Sequence, residues 1–460
     1  MLTRLHVRNF KSWEDTGEMR LAPLTALFGA NSSGKTSLLQ VLLMLKQTAD
    51  SPDRSQVLNL GDERSLVELG TFQDVLCGHD LSRSLDLELE WTLPETLQIR
   101  DPASKNSILV EGDTLAFANR IAWQARKEAT AGPVVTEMSY RLGDMSFGMR
   151  QKAPANGQYE LAPQDGRFRF VRTLGRSWPL PPPARCYGFP DQARAYHQNA
   201  GFLSDLELGF ENCLGRVFYL GPLRDYPRRH YLWAGAQPAD MGRRGEKVVD
   251  ALLASRESGL KLSAGRGRRR LTLEERVARW LQELGLIQSF QVRPVTEGGK
   301  LFQVWVRRNQ AGAEVLLPDV GFGVSQVLPV ITLCYYAPEG STLILEQPEI
   351  HLHPAVQSGL ADVLLDAVRT RGVQILLESH SEHLLKRLQR RMAEETARPE
   401  DLALYFCSTE DGRSRLTELQ LDLFGQVQNW PQDFFGDPFG EMAETQKKIL
   451  ERKIAARPQP

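Results

Sequence analysis

The chain is poor in cysteine. Its 460 residues include five, Cys77, Cys186, Cys213, Cys334 and Cys407, odd in number, scattered, and never in a C-x-x-C pair. That excludes a disulfide framework and a cysteine zinc site. A long apolar run is also missing. The most apolar stretch, Val324 to Ala337, is interrupted by Ser325, Gln326 and Pro329 and is too short to span a bilayer. Met1 to Arg8 alternates apolar and polar residues, as a strand does, and lacks the apolar core of a signal peptide. No charge of one sign dominates: 56 basic and 57 acidic residues leave a net charge of -1. Any nucleic-acid contact must therefore come from a local patch. There is no internal repeat. These absences predict a cytoplasmic protein with no membrane partner. With 42% hydrophobic and 25% charged residues, global disorder is excluded.

At roughly 100–200 residues per domain, the length allows two to four lobes. Residues 1–28 read as strands, with Pro23 to Phe28 a compact apolar run ending at a glycine. Thr36 to Ala49 reads as a helix with a wide apolar face of leucines. Further on, Leu85 to Trp91, Ser139 to Met149 and Phe168 to Leu174 read as strands. Pro179 to Pro183 reads as a stiff connection and Val217 to Leu220 as a buried strand. Leu273 to Leu286 reads as a helix, and Leu301 to Val306 with Glu314 to Leu317 as a hairpin. From Ser325 onward, helices (Ser325–Tyr336, Pro354–Arg369, Ser381–Glu395) alternate with apolar strands (Thr342–Leu345, Val373–Leu377). Alternation at both ends predicts an α/β sheet whose halves are separated by a long insertion. The expected divisions are 1–80, an N-terminal part of the head; 81–310, β-rich elements with a mixed α/β insertion; 311–440, a C-terminal part of the head; and 441–460, a helix and charged tail.

The sharpest motif is Gly29-Ala30-Asn31-Ser32-Ser33-Gly34-Lys35-Thr36, a complete G-x-x-x-x-G-K-[ST] between a strand and a helix. The glycines let backbone N–H groups wrap a phosphate chain, and the helix start adds its positive end. Lys35 reaches the outer phosphates, and the Thr36 hydroxyl suits Mg²⁺. The expected nucleotide-binding residues are Gly29, Asn31, Ser32, Ser33, Gly34, Lys35, Thr36 and Ser37. Such a loop needs an acidic residue at a neighbouring strand end, and Leu343-Ile344-Leu345-Glu346 supplies one. Gln347-Pro348-Glu349-Ile350-His351-Leu352-His353-Pro354 follows. Another strand ends in Glu378-Ser379-His380, and a glycine turn, Gly321-Phe322-Gly323-Val324-Ser325-Gln326, opens a helix.

With these motifs the chain resembles the ABC-type P-loop ATPases of the RecF, SMC and OLD kind. The matches are G-x-N-x-S-G-K-T, G-F-G-V-S-Q, E-Q-P-E-I-H-L-H-P and S-H-S-E-H. It also resembles bacterial single-chain ATPases found among phage-defence genes, at Tyr219-Leu220-Gly221-Pro222-Leu223-Arg224, at Gly242-Arg243-Arg244-Gly245-Glu246 and near Trp430 to Phe435. The resemblance covers 1–80 and about 215–440 and is weak over 80–210. It implies ATP and Mg²⁺ as cofactors, with Thr36 and Glu346 at the metal. His380 would be the switch histidine, and His351 to Pro354 a loop facing a partner subunit. Gly321, Gly323 and Ser325 would be the signature turn that completes the site of a second copy in a head-to-tail dimer. It further implies antiphage defence, with nucleotide state coupled to duplex DNA or to a separate effector such as a nuclease. A RecF-like repair ATPase is the alternative. No acidic D-x-D set follows residue 400, so the nuclease domain of OLD proteins is not expected in this chain.

One departure stands out. Where the family carries Asp-Glu, this chain carries Glu346-Gln347. A carboxamide orients water but takes no proton from it. Either Glu349 or Glu346 serves as base, with Glu378 a further candidate, or the protein is a slow nucleotide switch. The catalytic candidates are therefore Glu346, Gln347, Glu349 and His380. Glu346, Glu349, His351 and His353 also have the composition of a metal site, though contact with phosphate and partner explains them equally. The arginines at 266–270 and Arg387, Arg390 and Arg391 would either grip a DNA backbone or lie on solvated surface. Arg224, Arg228 and Arg229 would face nucleotide or partner, or pair with nearby acids. Trp430, Phe434 and Phe435 read as core or partner surface.

Overall fold

The computed structural model describes residues 1–100, 108–126, 129–153, 157–163, 168–173, 178–263, 269–422, 424–431 and 444–449. The chain opens with β1 (Leu2–Phe10), β2 (Trp13–Asp15), β3 (Met19–Arg20) and β4 (Leu24–Gly29), then α1 (Lys35–Asp50) and the short α2 (Phe72–Val75). Five long strands follow: β5 (Leu85–Arg100), β6 (Ile108–Arg126), β7 (Ala129–Leu142), β8 (Met145–Ala153) and β9 (Gln158–Pro163). Helices α3 (Asp191–Tyr196) and α4 (Leu203–Gly215) lead to β10 (Val217–Leu220). Next come β11 (Tyr231–Leu232), α5 (Val248–Glu257), β12 (Lys261–Leu262), β13 (Leu271–Thr272), α6 (Leu273–Glu283), β14 (Ser289–Pro294), β15 (Leu301–Arg307) and β16 (Glu314–Leu316). The C-terminal half alternates α7 (Phe322–Tyr336), β17 (Thr342–Glu346), α8 (Pro354–Arg371), β18 (Gln374–Glu378) and α9 (Glu382–Ala393), and ends in β19 (Leu402–Glu410) and β20 (Arg413–Glu418).

The two ends of the sequence meet in one sheet of order β10-β17-β18-β4-β19-β20, parallel except for the last pair. Strands β17, β18 and β4 are buried on both faces, as a parallel sheet covered on both sides requires. Leu343, Leu345, Ile375, Leu377, Ala26 and Phe28 pack with α5 to α9, while Ile344, Leu376 and Leu27 face α1, α4 and a second sheet. That second sheet is antiparallel, of order β2-β1-β5-β6-β7-β8-β9, so the insertion continues from β1. Gln374 ties the two sheets together. Its buried amide donates to the Leu2 and Ala22 carbonyls and accepts from the Leu2 N–H and the Thr342 hydroxyl. The expected α/β head assembled from both ends of the chain is thus present.

Two expected strands are corrected. Residues 139–149 are the end of β7 and the start of β8, joined by a two-residue turn at Gly143-Asp144, where Gly143 has φ 56°. Residues 168–173 form no strand. Phe168 and Phe170 are held by side-chain packing against Phe147 and Phe202, with one isolated bridge from Arg172 to His197. Leu174, Arg266, Arg268, Phe434, Phe435 and residues 450–460 lie outside the described residues. Among those described, no helix is long and apolar enough to cross a membrane.

A buried polar cluster locks α6, α7 and α8. Arg276, 4% exposed, pairs with Asp366 and lies over the rings of Trp280 and Tyr335. The Tyr335 hydroxyl donates to Asp366 and accepts from the Trp280 indole N–H. Removing one partner leaves a buried charge uncompensated, so Asp366→Ala should destabilise the fold by about 3–5 kcal/mol, read as a lowered urea midpoint. Replacing Arg276 and Asp366 together by apolar residues should cost less than the single change.

Candidate nucleotide site

The register of the parallel sheet sets the site. Glu346, Glu378 and Gly29 come together at the carboxyl ends of β17, β18 and β4, with Cys407 of β19 opposite Gly29, at the edge where α/β sheets hold ligands. Gly29 has φ 141°, and a Cβ there would stand inside contact distance of the Cys407 carbonyl oxygen. Gly34 has φ 87°, and a Cβ would strike Ser414 and Trp13. The loop between them is thus pressed by β19 on one side and the β1–β2 hairpin on the other. The Trp13 indole N–H donates to the Gly34 carbonyl at 3.0 Å. Helix α1 begins with no side-chain cap and no acid in its first turn, which leaves its N–H groups open to an anion.

An open cleft of about 250 Å³ lies over this helix start. Asn31, Ser32, Ser33, Gly34, Lys35, Thr36, Ser37, Gln347 and His380 line it, all of them expected; Ser12 and Glu378 complete it. Lys35 is buried, and its ammonium donates to the Gly29 and Ala30 carbonyls at 3.1 and 2.7 Å. Burial lowers its pKa. Thr36 donates its hydroxyl to Glu378 Oε2 at 2.6 Å. Burial, and then the Lys35 ammonium, lower the pKa of His380, which favours the neutral imidazole.

The strand-end carboxylates divide by role. Glu378 is the one that meets Thr36. Glu346, expected beside the metal, stands one layer back: its Oε1 accepts from the Tyr219 hydroxyl at 3.0 Å, and it does not line the cleft. Burial and the nearby Glu378 push its pKa up to about 7. Glu349 is buried and faces the switch segment. Its Oε1 accepts from the Ser379 hydroxyl and the His380 backbone N–H, both at 2.7 Å, while Oε2 has no partner. Burial raises its pKa too. Gln347 holds the cleft-facing place with φ 43°, its N–H bonded to the Glu378 carbonyl at 2.9 Å.

The remaining candidates lie elsewhere. Gly321 and Gly323 sit at the start of α7, away from this cleft, and the Ser325 hydroxyl donates to the Phe322 carbonyl. The Phe322 ring between them is 57% exposed and touches Tyr226, itself 73% exposed. His353 caps α8 through the Ala355 N–H, and His351 is exposed with φ 64°. Among the described residues no cluster of three or more His, Cys, Asp or Glu side chains could hold a metal ion. Several of these arginines are paired with carboxylates: Arg387 and Arg391 with Asp362, Arg390 with Glu394, Arg269 with Glu275, Arg228 with Asp225 and Arg229 with Asp319. Sequence reading missed Ser12, which a two-residue hairpin carries to the cleft, and the Glu378–Thr36 contact. A strand-end acid just before Ser379-His380 was the available signal for the second.

Comparisons with known proteins fit this geometry. Residues 1–112 match the family model "AAA ATPase domain", and residues 227–386 match "AAA domain, putative AbiEii toxin, Type IV TA system". Residues 398–444 match "Protein of unknown function (DUF3696)". No curated protein matches. Among solved structures, an SMC head bound to the C-winged helix domain of ScpA is 10% identical, with 91% of this chain and 98% of that one covered and a TM-score of 0.43. The SMC head domain from Thermotoga maritima is 11% identical, with coverage of 91% and 99% and a TM-score of 0.39. An SMC head with an extended coiled coil, bound to the C-terminal domain of ScpA and derived from Pyrococcus furiosus, is 10% identical, with 98% of each chain covered and a TM-score of 0.42. The two ATPase-domain matches contain the phosphate loop and the Glu346 and Glu378 strands, and the chain carries a P-loop ATPase fold.

Glu346 gives a prediction with a definite sign. Its folded pKa of about 7 lies above that of an unfolded glutamate, so its charged form opposes folding. That cost is absent below the unfolded value, grows as pH rises, and is complete above the folded one. In nucleotide-free protein, Glu346→Gln should therefore raise stability by about 2–3 kcal/mol at pH 8 and by little at pH 4.5. Urea midpoints at the two pH values check it.

Proposed function

We propose that the chain is an ABC-type ATPase that binds ATP with Mg²⁺, pairs with a second copy around the nucleotide, and uses its nucleotide state to control a separate effector. The observation that carries this reading is the cleft itself: an uncapped helix start, Lys35, the Thr36–Glu378 pair, Gln347 and His380 converge on one space. Lys35 would exchange two loop carbonyls for phosphate oxygens. The hydroxyl and carboxylate oxygens of Thr36 and Glu378 are hard donors of the kind Mg²⁺ takes, with Glu346 in reserve behind them. Bound there, Mg²⁺ would neutralise charge on the phosphates. The Gln347 amide can orient an attacking water but cannot take its proton, and Glu349 is turned toward Ser379 and His380. Slow hydrolysis follows, which suits a switch better than a motor.

Pairing is supported by the exposed Gly321-Phe322 turn. It serves no part of its own cleft and offers a second uncapped helix start to another copy. Control of an effector is favoured over a grip on DNA because Arg387, Arg390 and Arg391 along α9 are each held by a carboxylate. The toxin-type description of the model matched at 227–386 agrees with a role in antiphage defence inside the cell.

Steady-state ATP hydrolysis tests the reading, with Lys35→Ala as blank. Wild type should bind ATP, turn over slowly, and form dimers by light scattering only with ATP. Gln347→Glu should raise turnover by about 10²-fold, the usual contribution of a placed general base. Loss of ATP binding would end the proposal; a salt-sensitive rise in turnover with duplex DNA would replace effector control by DNA sensing.

A further inference from the structure

Two motifs remain unused by the site, Tyr219 to Arg224 and Gly242 to Glu246, and they meet. Strand β10 pairs in parallel with β17, Leu220 beside Leu345, so the segment leaving β10 runs past the Glu346 strand end. That segment is pinned from behind. The Gly221 N–H donates to the Arg243 carbonyl at 2.8 Å and the Asp225 N–H to the Arg244 carbonyl at 2.9 Å. The Arg243 side chain in turn holds the Ser65 and Glu63 carbonyls. Between the two pins, Arg224 is turned inward and is 7% exposed.

Arg224 is an unusual buried cation. Its one hydrogen bond runs from Nη2 to the main-chain carbonyl of Glu346 at 3.4 Å, while Nε and Nη1 have no partner. Among the described residues no carboxylate pairs with it, although the Glu346 and Glu349 charges both act on it. Buried guanidinium groups are costly unless paired, so a fold that keeps one needs a reason. The residue after the carbonyl it holds is Gln347, whose φ of 43° is strained for a residue with a side chain. Such a conformation persists only where its surroundings over-determine it. Three restraints bear on it: the Gln347 N–H to the Glu378 carbonyl, the Ile350 N–H to the Gln347 carbonyl at 3.1 Å, and Arg224 on the Glu346 carbonyl, the one restraint of the three made by a side chain.

We infer that Arg224 is a positioning residue for ATP hydrolysis, bracing the left-handed turn that carries the Gln347 side chain into the cleft. This rests on the ATPase reading above for its kinetic consequence, but the brace is a separate physical claim. The 242–246 loop acts through it by fixing the segment from which Arg224 reaches inward.

Arg224→Met and Arg224→Lys in the full chain, each alone and combined with Gln347→Gly, test the brace. Hydrogen exchange over residues 346–351 reads it without turnover. Exchange there should quicken in Arg224→Met, less so in Arg224→Lys, while the 29–37 loop stays as in wild type. Turnover should fall about 10–10²-fold in Arg224→Met, as for a misplaced catalytic geometry, with the affinity for a fluorescent ATP analogue within about twofold. In the Gln347→Gly background, where the positive φ costs nothing, Arg224→Met should add no further loss. Unchanged exchange at 346–351, or an equal loss of turnover in the Gln347→Gly background, would overturn the inference. Quicker exchange in a protein whose wild type never hydrolyses ATP would instead overturn the ATPase reading and leave the brace standing.

Discussion

Everything at the nucleotide site depends on β4 lying between β18 and β19. One flanking strand brings Glu378 and His380 to the phosphate loop; the other brings Cys407 against Gly29. These partners lie more than three hundred residues away in sequence, so the loop of residues 29–36 acquires its shape only from contacts made across the whole chain. The insertion does not interrupt this arrangement. It extends the antiparallel sheet begun by β1 and is fastened to the parallel one through Gln374.

The same geometry concentrates charge. Glu346, Glu349 and Glu378 are all buried at neighbouring strand ends, answered by Lys35 and Arg224. Neither cation is paired with a carboxylate in the way Arg276 is with Asp366. Arg276 is ion-paired with Asp366 inside a structural network; Lys35 is bonded to loop carbonyls, and Arg224 has no carboxylate partner among the described residues. A site built like this gives up stability to keep charge available.

Much of this was legible in the residues. The glycines, lysine and threonine at 29–36 identify a phosphate loop from their spacing alone, and apolar runs ending in Glu346 and Glu378 announce buried parallel strands. Which acid meets Thr36 was not legible, because it depends on which strand is inserted beside β4. Nor was the fate of the arginines: Arg387 has no acid within reach along its own helix, but α8 lays Asp362 against both Arg387 and Arg391. Phe168 and Phe170 alternate like strand residues and are used instead as packing aromatics. The strand Leu402 to Glu410 went unread, although its first six residues are apolar; it belongs to the head as fully as β4 does.

The contact between Gly29 and the Cys407 carbonyl has a temporal side. A chain made from its N-terminus carries the whole phosphate loop early, yet lacks the wall that shapes it until β19 has been synthesised. While the polypeptide is still growing, it therefore has the letters of a nucleotide site without its form. A chain cut short before residue 402 would lack β19 and with it the carbonyl that walls Gly29.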